Sequence, residues 1–148
     1  MIDVKTILLA EDNPKDVELT LEALNVHSLA NKVVVVNDGV EALEYLRCEG
    51  KYKMRKQGNP AVLLMDLKMP RMDGHELLQA IRSDSRLKTL PVVVLSSSRE
   101  EPDLKKCYDL GVNAYVVKPV NFKDFMEAVK HIGIFWALLN ELPPEKET

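Results

Sequence analysis

Cysteine is nearly absent from this chain. Cys48 and Cys107 are the only two in 148 residues, and they form no C-x-x-C pair. That excludes a disulfide scaffold and a cysteine-rich zinc site, and it fits a reducing compartment. Histidine is as scarce, with three scattered residues, so a histidine-based metal centre is not expected. No uncharged run is long enough to span a bilayer. Met1-Ile2-Asp3 lacks the basic-then-apolar order of a signal peptide. Excess positive charge is missing as well: 20 Lys+Arg face 23 Asp+Glu, for a net −3, which argues against sequence-independent nucleic-acid binding. Internal repeats and low-complexity linkers are also missing. The expectation is a soluble, cytoplasmic chain with no nucleic-acid or membrane partner. What is present is 46% hydrophobic residues, enough for the core of one domain.

That apolar material comes in five short runs: Thr6–Ala10, Val33–Asn37, Ala61–Met65, Val92–Ser96 and Ala114–Lys118. None alternates polar with apolar, which is how strands buried on both faces read. Helical patterns separate them. Asn13-Pro14 supplies an N-cap and a first-turn proline, and Val17, Leu21 and Leu24 form a stripe behind it. Val40, Leu43 and Leu46 follow Asp38-Gly39, and Leu77, Leu78 and Ile81 follow the turn at Asp73-Gly74. A fourth helix is expected from about Pro102 to Leu110, stopped by Gly111, and a fifth from Asn121 with Phe122, Phe125, Met126 and Val129. Five alternations of strand and helix give an α/β fold, a (βα)5 doubly wound parallel sheet. The stretch 48–60, with Lys51, Lys53, Arg55 and Lys56, reads as a solvated connection.

In such a sheet the chemistry sits at the carboxyl ends of the strands. The first run ends in Glu11-Asp12, the third in Asp66, the fourth in Ser96-Ser97-Ser98 and the fifth in Lys118-Pro119. Three carboxylates, a hydroxyl and an ammonium therefore converge. Carboxylates this close repel unless a cation lies among them, and hard oxygen donors suit Mg²⁺. Metal and ammonium together suit a phosphoryl group, with Asp66 placed to attack phosphorus and Ser96 to bond a phosphoryl oxygen.

Five segments carry a resemblance to a known family: L-L-A-E-D-N-P at 8–14, V-N-D-G-V-E-A-L at 36–43, L-M-D-L-K-M-P-R-M-D-G at 64–74, V-V-V-L-S-S at 92–97 and G-V-N-A-Y-V-V-K-P at 111–119. Together and in order they resemble the receiver domain of two-component response regulators, over essentially the first 130 residues. The resemblance implies a flavodoxin-like fold and a phospho-acceptor at Asp66. It implies Mg²⁺ held by Asp12, Asp66 and the Lys68 backbone carbonyl, with Glu11 acting mostly through water. Lys118 would pair with the phosphoryl group, and the bond from Lys118 to Pro119 would be cis. Ser96 and Tyr115 would be the coupled switch that repacks the face of helix 4, strand 5 and helix 5. A histidine kinase would be the phosphoryl donor.

Several residues have plainer readings. Ser98 lines the rim of the site, His75 is an exposed helix-start residue, and both cysteines are inert thiols. A haloacid-dehalogenase-type phosphatase needs D-x-D after the first strand, where this chain has Glu11-Asp12. A nucleotide- or flavin-binding domain needs a glycine-rich phosphate loop there instead. A phosphorylation-independent dimeric adaptor remains an alternative.

Residues 1–142 read as one receiver including a lengthened helix 5, with 143–148 as a charged tail. Past Lys130 the chain has only H-I-G-I-F-W-A-L-L-N-E-L before Pro143-Pro144, too little for an output domain. It reads as about two more turns of helix 5, stopped by the prolines. Its apolar sides must fold back or pair with a second chain, and a homodimer anchored by Phe135, Trp136 and Leu139 is expected. The basic 48–60 loop and this tail resemble the stand-alone regulators of cyanobacterial phytochrome kinases, which implies a phytochrome-type partner.

Overall fold

The computed structural model describes residues 5–25 and 30–144. The N-terminal Met1-Ile2-Asp3 and the charged residues 145–148 lie outside the described residues. Each apolar run becomes a strand: β1 Ile7–Ala10, β2 Val33–Val36, β3 Val62–Met65, β4 Val92–Ser96 and β5 Ala114–Val117. They pair in parallel in the order β2-β1-β3-β4-β5. The chain reverses its direction of travel across the sheet between β1 and β3, the crevice where this class of fold places its ligands.

The helices are α1 Pro14–Asn25, α2 Gly39–Arg47, α3 Gly74–Ser83, α4 Glu101–Asp109 and α5 Phe122–Gly133. Four begin where a short polar side chain can accept from orphan amides. Asn13 Oδ1 takes Lys15 N–H at 2.9 Å, and Asp38, Asp73 and Asn121 cap α2, α3 and α5 in the same way. Asp73 and Glu76 complete a capping box.

Successive strand residues face opposite sides, so the sheet divides the core. Leu8, Ala10, Leu63, Met65, Val92 and Val94 pack under α2 and α3 with Leu43, Leu77 and Ile81. Ile7, Leu9, Val62, Leu64, Val93 and Leu95 pack under α1 and α5 with Leu24, Phe125 and Val129. The order is helix, sheet, helix. Of the α4 residues only Cys107 is fully buried, so α4 is the helix least anchored to the core.

Three expectations are corrected. Helix 5 does continue, but as a π-helical segment, Ile134–Leu139, and it stops before the prolines. Its end is closed by Asn140 N–H to the Phe135 carbonyl at 2.7 Å, and Lys5 Nζ holds the Asn140 carbonyl at 2.8 Å. Ala137 is fully inside, and Trp136 packs partly against the chain's own core. Phe135 (48% exposed) and Leu139 (63%) remain outside. The 48–60 loop is not simply solvated: Arg55 lies 4.0 Å over the Tyr45 ring and bonds the carbonyls of Tyr45, Lys56 and Gly58. The Lys118–Pro119 bond is trans, the lower-energy isomer. Among the described residues no helix is long and apolar enough to cross a membrane.

Candidate functional site

Register brings the site together. Ala10 pairs with Met65 across β1 and β3, so Glu11 and Asp66 emerge side by side at the carboxyl edge, with Asp66 N–H on the Ala10 carbonyl at 3.1 Å. Ser96 pairs with Val117 across β4 and β5, so Lys118 follows one step later, its N–H on the Ser96 carbonyl at 2.7 Å. The loop after β3 is pinned from two sides. Gly74 approaches so closely that an added Cβ would lie 2.7 Å from the Asp66 carbonyl oxygen. Arg71, in the left-handed region at φ 63°, reaches the buried carboxylate of Asp38 through two N–H donors. Burial pushes the Asp38 carboxyl up, but Arg71 and the Glu41 amide hold it below the usual carboxylate range.

Lys118 is the hub. Its Nζ donates to Glu11 Oε1 at 2.7 Å, Asp16 Oδ2 at 2.7 Å and Asp66 Oδ2 at 3.0 Å. Three donors meet three carboxylates, so the ammonium is fully engaged. Its side chain is only 11% exposed. Burial works against the ammonium, yet the surrounding carboxylates outweigh it and raise its pKa. Glu11 is pushed up by burial, with Lys118 opposing. The other oxygen of Asp66, Oδ1, accepts the Leu67 N–H at 2.7 Å.

Glu11, Asp12, Asp16, Asp66, Lys68, Ser97 and Lys118 line an open cleft of about 520 Å³. Four carboxylates there face two ammonium groups, and this excess of hard oxygen donors fits a divalent cation. Asp12 is exposed at the mouth, and the Lys68 side chain also points to water. Among the described residues no three His, Cys, Asp or Glu side chains already form a cation cage. One oxygen each of Glu11 and Asp66 is held by Lys118.

Asp16 is the residue that sequence reasoning missed. It lies in the first turn of α1, where an acid reads as a favourable dipole partner, yet it reaches across to β5. The E-D-N-P-x-D spacing was the available signal, since Asn13 as N-cap turns Asp16 back toward the strand ends.

Ser96 is buried and absent from the cleft lining; Ser97 takes that place. Ser96 Oγ accepts the Ser98 amide at 3.2 Å. Ser98 is more than rim: its Oγ donates to Asp103 Oδ2 at 2.6 Å, and its carbonyl accepts the Tyr115 hydroxyl at 3.0 Å. His75 is not exposed. Its side chain is 13% accessible, with Nε2 3.1 Å from Asp103 and Nδ1 3.7 Å from Cys107 Sγ, because α4 packs over the start of α3. The hydrogen bonds from Ser98 and His75 hold the Asp103 carboxyl below its ordinary range. Burial pushes the Cys107 thiol up to about 11, in keeping with an inert thiol.

The family model of the response regulator receiver domain matches residues 7–130, with the cleft at its centre. This chain belongs to the response regulator receiver family. The receiver is 37% identical over 139 residues to response regulator Rcp1 of Synechocystis sp., covering 94% of this chain and 93% of Rcp1. A crystal structure of Rcp1 in its Mn²⁺-bound form superposes with a TM-score of 0.86 at 36% identity, over 95% of this chain and 99% of that one. The phosphorylated cyanobacterial phytochrome response regulator RcpA superposes with a TM-score of 0.88 at 44% identity, over 96% of this chain and all of that one. The bacteriophytochrome response regulator RtBRR is 56% identical, with a TM-score of 0.76 over 96% of this chain and 86% of its own. The receiver is thus related to phytochrome response regulators.

Proposed function

We propose that this receiver accepts a phosphoryl group on Asp66 from a sensor histidine kinase, of phytochrome type, and acts as a cytoplasmic signalling protein rather than an enzyme. The observation that carries the reading is the Lys118 ammonium set 3.0 Å from Asp66 in a carboxylate-rich cleft. An Asp66 oxygen attacks phosphorus in line while the bond from phosphorus to the donor nitrogen breaks. Lys118 is already held at the acceptor, so its charge lies beside the arriving phosphoryl oxygens, and the donor now on Asp66 turns to them. Asp12, Asp66 and the Lys68 carbonyl, with Glu11 behind them, would hold Mg²⁺. Bound there, the ion would neutralise charge developing on the transferred group.

Ser96 and Tyr115 form the switch. Ser96 Oγ must give up the Ser98 amide to reach a phosphoryl oxygen, and the Tyr115 hydroxyl hangs on the same residue, Ser98. Their joint movement repacks the face of α4, β5 and α5, where all four residues of β5 are only half-buried. Phe135 and Leu139 add exposed apolar area, and this surface pairs with a second copy of the chain. Intact-mass measurement after incubation with acetyl phosphate and Mg²⁺ tests the reading. Wild type gains one labile phosphoryl group, and Asp66→Asn or EDTA abolishes it. No adduct on wild type, even with a phosphorylated histidine kinase supplied, would leave the dimeric adaptor as the better account.

A further inference from the structure

We infer that Asp16 is the residue that keeps Lys118 at the acceptor when a cation is bound. The inference rests on Asp66 being the phosphoryl acceptor. Lys118 now has three carboxylate partners, Glu11, Asp16 and Asp66, and no donor to spare. Two of the three belong to the group around the cation. A divalent ion held by Asp12 and Asp66, with Glu11 behind them, would compete with Lys118 for two of its three carboxylate partners and would repel the ammonium as well. The arriving phosphoryl group also claims the bond to Asp66. A lysine side chain is long and flexible, and with its anchors taken it would swing out into the open cleft.

Asp16 is the partner outside that set, and it is built to stay. It sits on the first turn of α1, its N–H on Asn13 Oδ1 at 3.2 Å and its carbonyl accepting the Thr20 hydroxyl at 2.7 Å. Its carboxylate comes at Lys118 from the helix side, 2.7 Å away, while Asp66 lies on β3's end. Asp16 therefore needs to supply an acceptor in a fixed place; its charge acts separately, by adding to the pull on a cation. Asp16 touches neither phosphorus nor the donor, so it is a positioning residue.

These two contributions separate in two variants of the full chain. Asp16→Ala removes acceptor and charge. Asp16→Asn removes the charge but keeps a carbonyl oxygen at the same reach. Mg²⁺ affinity from calorimetric titration is expected to fall by a similar factor in both, about threefold for one charge lost in a half-exposed cleft. The acetyl phosphate labelling rate, read by intact mass at saturating Mg²⁺, is expected to fall about tenfold in Asp16→Ala. In Asp16→Asn it stays within about twofold of wild type. Thermal melts check that both variants fold. An Asp16→Ala protein that labels at the wild-type rate, or an Asp16→Asn protein as slow as Asp16→Ala, overturns the inference. A wild type that never labels fails earlier, and it removes the acceptor reading along with this one.

Discussion

Replacing Lys118 by Met keeps most of the side-chain length and removes the one cation from the centre of the site. The ammonium lies 2.7, 2.7 and 3.0 Å from three carboxylates, and the side chains of Lys118 and Glu11 are 11% and 5% exposed. Each attraction is worth about 4 kcal/mol before desolvation at an effective dielectric near 20. Much of that is cancelled by desolvation and by repulsion among the carboxylates. Removing one partner from a buried pair costs about 3–5 kcal/mol. Asp16 is the most accessible of the three carboxylates, and water reaching it puts the expectation at the low end, about 3 kcal/mol. For a chain of this length that is a fall in Tm of about 10 °C.

The dependence on pH has a definite sign. Lys118 has a pKa raised above its ordinary 10.5, so its contribution is fully present below that value and is lost only as pH rises past it. Wild type therefore has the full contribution at pH 7. In the variant Glu11 loses the counter-charge that opposes its burial, so it binds a proton more readily still. The deficit should shrink from pH 7 to pH 5, and millimolar Mg²⁺ should raise the variant's Tm more than wild type's. Scanning calorimetry across that range checks both. A variant within 2 °C of wild type at pH 7, or a deficit flat with pH, would refute the idea that Lys118 neutralises this cluster.

Two further outcomes follow from the geometry. Asp103 is held below its ordinary value of 3.8 by Ser98 and His75, so its contribution is present above that value and is lost as pH falls through the lower one. Melting of Asp103→Asn should accordingly converge on wild type below about pH 4; a constant offset down to pH 2 would count against the network. The proposed pairing through Phe135 and Leu139 should weaken about 30-fold in sedimentation velocity when both become Asp; a wild type that stays monomeric, or a variant that associates as well, would refute it.

What could be read from sequence and what could not divide along a physical line. The five buried runs and the caps at Asn13, Asp38, Asp73 and Asn121 are local signals, and each became the element it announced. Glu11, Asp66 and Lys118 were also legible, because a parallel sheet sends every strand end to one edge. The misses all depend on how a helix sits against something distant in sequence. His75 looked exposed because nothing in its own helix covers it; α4 does, 28 residues on. Asp16 went unread because its partner, Lys118, lies 102 residues away just past β5. The π-helical close of α5 is met by Lys5 on the Asn140 carbonyl, 135 residues apart, and no periodicity encodes that contact. Ser98 shows why such contacts matter here. Tyr115 and Ser96 both bond its backbone, and Asp103 holds its hydroxyl. A signal at Asp66 that moves Ser96 must therefore disturb α4, the helix with least burial to lose.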